Sequence, residues 1–211
     1  MVKDAEKNNL IYKIFNFPFF YNLYQNFIFA KDAKRKLFHN EFEILDSDFV
    51  LDIGCGPGNY RSFINTSNYF GIDINCKSIE QAKKLYPKDS FECIPAQKIK
   101  NFSEKSFDKI FVLGLLHHLP DKDVTNLFND IENLMSSNTT IYCVDTSFYE
   151  NQGLFSKLMG KLDKGNYVRY PSDLAKLINE KYFDVEVKIF DNLLRVPCYH
   201  SFLKVKRKQI N

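Results

Sequence analysis

The sequence predicts an α/β fold: a mixed sheet of about seven strands with an antiparallel last strand, helices on its faces and a helical N-terminal cover. Three observations predict it. From residue 49 onward short apolar runs alternate with amphipathic segments. The last two runs alternate apolar with charged residues, as strands at a sheet edge do. Before residue 45, aromatic residues recur at helical spacing. With 211 residues, 45% of them hydrophobic, one core is expected, so 1–211 reads as one domain with a cover at 1–45 and a core at 46–211.

The elements follow in order. Pro18 is placed to open a helix whose apolar face is Phe19, Phe20, Leu23, Tyr24, Phe27 and Ile28. The runs Phe49 to Ile53, Tyr69 to Asp73, Phe91 to Ile94, Phe107 to Leu113 and Thr140 to Asp145 read as buried parallel strands. A helix is expected on the face Val124, Leu127, Phe128, Ile131, Leu134 and Met135, and another on Leu174, Leu177 and Ile178 after Pro171. Val185, Val187 and Ile189 mark a sixth strand, and Tyr199 to Lys206 a seventh. Ser136-Ser137-Asn138 reads as the turn before the fifth strand.

Composition narrows the function classes. A net charge of +3 is too mild for a polyanionic partner, so no nucleic acid is expected. The apolar stretch Ile14 to Ala30 is interrupted by Asn16, Pro18, Asn22, Gln25 and Asn26, too often to span a bilayer, and no secretory signal opens the chain. Cys55, Cys76, Cys93, Cys143 and Cys198 are widely spaced, with no CxxC pair. This pattern predicts free thiols, no disulfide framework and no metal site, hence a reducing, cytoplasmic setting.

The chemistry concentrates in Asp52-Ile53-Gly54-Cys55-Gly56-Pro57-Gly58. Three glycines at alternate positions after a strand let the backbone turn sharply and approach a ligand closely. Asp52 repels a pyrophosphate and attracts a cationic amine, which argues against a dinucleotide and against a nicotinamide-dependent oxidoreductase. Asp73 ends the next strand about 20 positions on, where a carboxylate accepts hydrogen bonds from ribose hydroxyls.

With these residues in place, the chain resembles the class I S-adenosylmethionine-dependent methyltransferases, whose D-x-G-x-G-x-G loop matches Asp52, Gly54, Gly56 and Gly58. The resemblance runs from about Phe49 to Asp145 and implies a Rossmann-like core binding S-adenosylmethionine. It implies cofactor contacts from Asp52, Gly54, Cys55, Gly56, Gly58, Asp73, Ile74, Ala96, Gln97 and Leu113. In the family an acidic residue usually precedes the small residue of the adenine segment, whereas Pro95 stands before Ala96 here. The base-methylating tetrapeptide is absent, since Gly114-Leu115-Leu116-His117 follows the fourth strand, and this points to the small-molecule branch.

Within that branch the resemblance implies that His117 packs beneath the cofactor, and His118 is the candidate general base. Tyr12, Tyr21 and Tyr24 are candidates for a lid over the pocket or for simple core. A finer resemblance, to methyltransferases of bacterial sugar and surface-polysaccharide clusters, rests on the Gly165 to Arg169 segment and on Leu194-Arg195-Val196-Pro197. It implies an acceptor site lined by Arg169, Arg195 and His200, for a sugar oxygen or an anionic metabolite. Either arginine could instead pair with a surface acid such as Asp163, Asp191 or Glu186. The lysine-rich tail Lys204, Lys206, Arg207, Lys208 reads as solvated. The expected protein is an enzyme, a monomer or homodimer. The alternative is a module that binds the cofactor without catalysis.

Overall fold

A computed structural model describes residues 31–102, 106–162, 165–179, 181–191, 193–194 and 198–208. The Pro18 helix, Tyr12, Tyr21, Tyr24, Asp163 and Arg195 lie outside the described residues. In chain order the elements are α1 (Lys31–Glu41), β1 (Phe49–Ile53), β2 (Asn68–Asp73), α2 (Cys76–Leu85), β3 (Ser90–Cys93), β4 (Phe107–Leu113) and α3 (Asp121–Glu132). They continue with β5 (Met135–Ser147), α4 (Leu154–Leu162), α5 (Pro171–Lys176), β6 (Phe183–Phe190) and β7 (Tyr199–Arg207).

The seven strands form one sheet in the order β3-β2-β1-β4-β5-β7-β6. β1 to β5 run parallel, and β7 is antiparallel to both β5 and β6. Because side chains alternate across a strand, the apolar runs supply two cores at once. One face gathers Leu51, Ile53, Ile72, Ile110, Val112, Ile141 and Leu203 beneath Val124, Leu127, Phe128 and Ile131 of α3. The opposite face gathers Val50, Tyr69, Phe111, Tyr142 and Phe202 beneath Leu37 and Phe38 of α1, Phe42 just after it, and Ile79 and Ala82 of α2.

Phenylalanine does much of the packing there. Phe42 lies 4.2 Å from Phe38, 5.4 Å from Phe111 and 4.8 Å from Tyr142, ring centre to ring centre. Offset aromatic contacts of this kind add about 0.5–1.5 kcal/mol each beyond the area they bury. They staple α1 across β4, β5 and β7.

Three expectations are corrected. Met135 begins β5 rather than ending α3, and Ser136 to Asn138 are looped out within β5, where the ladder jumps from Phe107–Met135 to Lys109–Thr140. Hydroxyls satisfy the freed backbone: Ser136 N donates to Thr139 Oγ1 at 2.9 Å, and Thr139 Oγ1 donates to the Phe107 carbonyl at 2.6 Å. Helix α4 was not expected from the sequence; on it Leu154 and Leu158 face solvent.

The third correction concerns the thiols. Cys76 and Cys93 form a disulfide, with Cα atoms 5.0 Å apart, while Cys55, Cys143 and Cys198 are buried. Sequence spacing hides the pairing, because only the parallel register of β2 and β3 brings the start of α2 beside the end of β3. Thiol usage therefore no longer argues for a reducing setting. Among the described residues no helix is long and apolar enough to cross a membrane.

Candidate active site

In a parallel sheet the carboxyl ends of the strands share one edge, and a crevice opens where neighbouring strands send their connections to opposite faces. Here that point lies between β1 and β4. The glycine loop leaves β1 at this edge. Gly54 N and Cys55 N both donate to the Ile72 carbonyl of β2, at 2.8 and 3.0 Å, so the loop folds back over its neighbour. Gly54, Gly56 and Gly58 have φ of 79°, 54° and 82°, a left-handed backbone that side chains disfavour. Among the described residues a Cβ at Gly56 would meet only Asn59 Nδ2, at 3.8 Å, so the loop presents open space to them on that side.

Asp73 locks the loop to β2. Its Oδ2 accepts from Gly56 N at 2.9 Å and its Oδ1 from Asn75 N at 2.7 Å. Each carboxylate oxygen retains a lone pair for a further donor. Ile74, next in the chain, is 51% exposed, an apolar side chain laid bare beside the carboxylate. Ala96 and Gln97 open a 3₁₀ run, Ala96–Phe102, two residues beyond Ile94, whose N–H donates to the Asp73 carbonyl at 3.0 Å. They line a groove shared with Leu119, Asp123 and Asn126.

Asp52 belongs to the strand rather than to the turn. Its carboxyl is 1% exposed and accepts from the Tyr69 hydroxyl at 2.5 Å. Burial pushes its pKa up to about 7, the nearby Asp73 adds to the rise, and the Tyr69 hydrogen bond opposes it. An ammonium group arriving there would recover the charged form. Cys55 is buried under the loop against Gly71, with its thiol pushed up by burial, so its side chain is turned away from any ligand at the loop. Leu113 is likewise buried in the sheet, and the chain opens at Gly114, whose φ is 70° and where a Cβ would meet nothing within 4 Å among the described residues.

The turn after β4, Leu116–His118, is held by a residue not singled out in the sequence. Asp145, at the carboxyl end of β5, accepts from Leu116 N at 2.5 Å and His117 N at 3.2 Å, and it bonds the His117 imidazole Nδ1. His117 is buried, with Gly165 pressed against it so closely that no side chain fits there. His118 is half-buried and lies against His117, ring centres 4.0 Å apart and the rings tilted by 41°. The histidine pair thus divides into one anchored ring and one nearer the surface.

The expectation that Arg169 offers its fork to an acceptor is corrected. Its side chain is only 10% exposed, and its five N–H groups are spent inside the protein. Nε donates to Asp121 at 2.8 Å, Nη1 to the carbonyls of Leu116 and Tyr167 at 2.9 Å each, and Nη2 to the Leu119 carbonyl at 2.6 Å and to Asp121 at 2.7 Å. The acid it pairs with is Asp121, on the neighbouring helix rather than in its own connection. His200 is buried on β7 opposite Thr146, one residue past Asp145 along the ladder. Arg195 lies outside the described residues. Tyr69 and Asp145 escaped sequence reading because their partners are seventeen or more positions away. So did Lys34, which lies over the Tyr60 ring at 4.4 Å, its pKa lowered to about 8 by burial.

Residues 51–143, which hold this loop, Asp73 and the histidine turn, match the family described as "Methyltransferase domain". The chain's Rossmann-like fold is that of solved methyltransferases. A S-adenosylmethionine-dependent methyltransferase from Archaeoglobus fulgidus superposes with a TM-score of 0.69 at 17% identity, over 89% of this chain and 100% of that one. Human N-acetylserotonin methyltransferase, solved in complex with S-adenosylmethionine, superposes with a TM-score of 0.69 at 14% identity, over 96% of this chain and 60% of that one. An uncharacterized protein of Methanocaldococcus jannaschii is 27% identical over 158 residues, covering 71% of this chain and 58% of that protein. The chain spans about half the length of this and two further curated relatives, from 48% to 58%.

Proposed function

We propose that this domain is a methyltransferase that binds S-adenosylmethionine along the carboxyl ends of β2, β1 and β4 and methylates a small molecule. The observation that carries the reading is the glycine cradle: left-handed backbone at Gly54, Gly56 and Gly58, open space at Gly56, and Asp73 tied to its floor. These residues fit the cofactor's chemistry. Asp73 offers its free lone pairs to the ribose hydroxyls, and Ile74, Ala96 and Gln97 flank the adenine. Asp52 faces the amino group, and the backbone of Gly54 to Gly58 and of Leu113 closes on the remainder. Bound there, the cofactor supplies a methyl group activated on a sulfonium.

The protein's own part is to bind, orient and exclude water, since orientation alone is worth about 7–11 kcal/mol in favourable reactions. His118 takes the acceptor's proton, while Asp145 and Arg169 hold the turn on which it sits. The acceptor is a small molecule presenting an oxygen, a sugar or an anionic metabolite, with Arg195 and His200 toward it. This rests on the resemblance of Gly165–Arg169 and Leu194–Pro197. A mild net charge supports it over a nucleic acid. A single domain over 1–211, a cytoplasmic location and a monomer or homodimer complete the reading.

Titration calorimetry tests the cofactor. The chain binds S-adenosylmethionine, and Gly56→Val, still folded by circular dichroism, shows no binding, because a branched side chain fills the cradle and strains a backbone at φ 54°. Undiminished affinity in the folded variant refutes the site. Once an acceptor is found, His118→Ala lowers kcat by roughly 10²-fold or more with cofactor affinity kept, the scale for losing a general base. Binding without turnover on any acceptor favours the non-catalytic module instead.

A further inference from the structure

We infer that the Cys76–Cys93 disulfide is a thiol–disulfide exchange site that couples redox state to binding of the adenosine half of the cofactor, an inference that rests on the cofactor reading above. The bond joins the two segments that carry the proposed adenosine contacts. Cys76 is the first residue of α2, three positions after Asp73, and Cys93 lies directly opposite Asp73 in the β2–β3 ladder. Between Asp73 and Cys76, Asn75 donates its N–H to Asp73 Oδ1 while its side chain accepts from Lys77 N and Ser78 N, capping α2. On the other side, Ile94 N binds the Asp73 carbonyl and leads into Pro95, Ala96 and Gln97. The disulfide therefore ties the exposed Ile74 turn to the Ala96–Gln97 segment, across which an adenine would lie.

Accessibility sets this pair apart from the other thiols. Cys76 and Cys93 are exposed at the rim, whereas Cys55, Cys143 and Cys198 are buried. Burial also pushes the Cys55 and Cys143 thiols up, away from the reactive thiolate. Exchange needs a dithiol reductant. One of its thiolates attacks Cys93 Sγ, the Sγ–Sγ bond breaks, and the electron pair leaves on Cys76 Sγ. That thiolate sits at the amino end of α2, where the helix dipole favours negative charge. The reductant's second thiolate then attacks its own bound sulfur and releases Cys93, which takes up a proton. The protein gains two thiols and the reductant becomes a disulfide. In the reduced form the covalent tie between the start of α2 and the end of β3 is gone, and the Asn75 cap, the β2–β3 ladder and the Ile94–Asp73 hydrogen bond are left to hold Asp73 and Ile74 against Ala96.

The test uses the full chain, equilibrated with reduced or oxidised dithiothreitol. S-adenosylmethionine affinity is read by calorimetry, and thiols are counted by alkylation and mass spectrometry after unfolding. The oxidised protein is expected to leave Cys76 and Cys93 unalkylated and to bind at least threefold more tightly than the reduced protein. A Cys76→Ser, Cys93→Ser double variant should match the reduced protein in both buffers, with its fold checked by circular dichroism. Equal affinities in the two buffers, five alkylated cysteines after oxidation, or a double variant that still responds to the buffer overturns the inference. Failure of the cofactor reading looks different: no heat of binding appears in either buffer, and the inference falls with it. Asp73→Ala weakens binding in both buffers and so separates the ribose contact from the switch.

Discussion

Asp52 shows how one buried carboxyl links stability to pH. Burial raises its pKa from 3.8 to about 7, so the folded chain holds a proton that the unfolded chain releases. The stabilisation this gives is complete below about pH 4 and is lost as pH climbs through about 7. Asp52→Asn keeps the shape and the acceptor for Tyr69 but cannot ionise. The variant is therefore expected to gain stability relative to the parent between pH 5 and 8. Urea midpoints at the two pH values check it, and a parallel pH dependence in both proteins would show that Asp52 ionises freely. The aspartate was legible as a site residue from its place in the glycine motif. Its protonation was not, because the Tyr69 hydroxyl and the closed sheet around it come from elsewhere in the chain.

At the scale of elements, the segment after β5 works as a clamp on the turn after β4. Arg169 joins the carbonyls of Leu116, Tyr167 and Leu119 to Asp121 at the start of α3. A backbone bridge from Ser147 to Arg169 sets the clamp beside β5. Removing the guanidinium strands three carbonyls that sit away from bulk water. Arg169→Ala is thus expected to cost about 2–3 kcal/mol, the scale of losing hydrogen bonds to a charged group. Arg169→Lys should recover little, since one ammonium offers three donors without the planar fork. Chemical denaturation measures both, and a wild-type midpoint for the alanine variant refutes the clamp. Sequence alone placed Arg169 near the acceptor for a sound reason, its position in a connection overhanging the site. A free arginine and a saturated one look the same until Asp121 is seen to face it.

At the scale of the molecule, the parallel register of β1 to β5 puts every proposed cofactor contact on one sheet edge. A ligand bound there touches the ends of several strands and stabilises the domain as a whole. At a hundred times its dissociation constant it contributes about 2.7 kcal/mol. In a domain of this size that raises Tm by roughly 5–10 °C. S-adenosylmethionine is expected to produce this shift and NADH none, as the resemblance of the Asp52 to Gly58 loop to S-adenosylmethionine binders implies. Differential scanning fluorimetry decides it, and an equal rise with NADH would return the oxidoreductase reading.

The sequence by itself determined the strand set, the order of loop and acids, and the methyltransferase pattern from Asp52 to Asp73. These are local: a strand's burial, a glycine's backbone freedom and an acid at a strand's end are written in neighbouring residues. Only the tertiary structure decided what Asp145, Tyr69, Arg169 and the cysteine pair do. Each acts through a partner seventeen to fifty-three positions away, brought within bonding distance by sheet register and crossover connections. A hydrogen bond or disulfide falls off over an ångström, whereas sequence separation carries no information about distance once the chain has crossed the sheet.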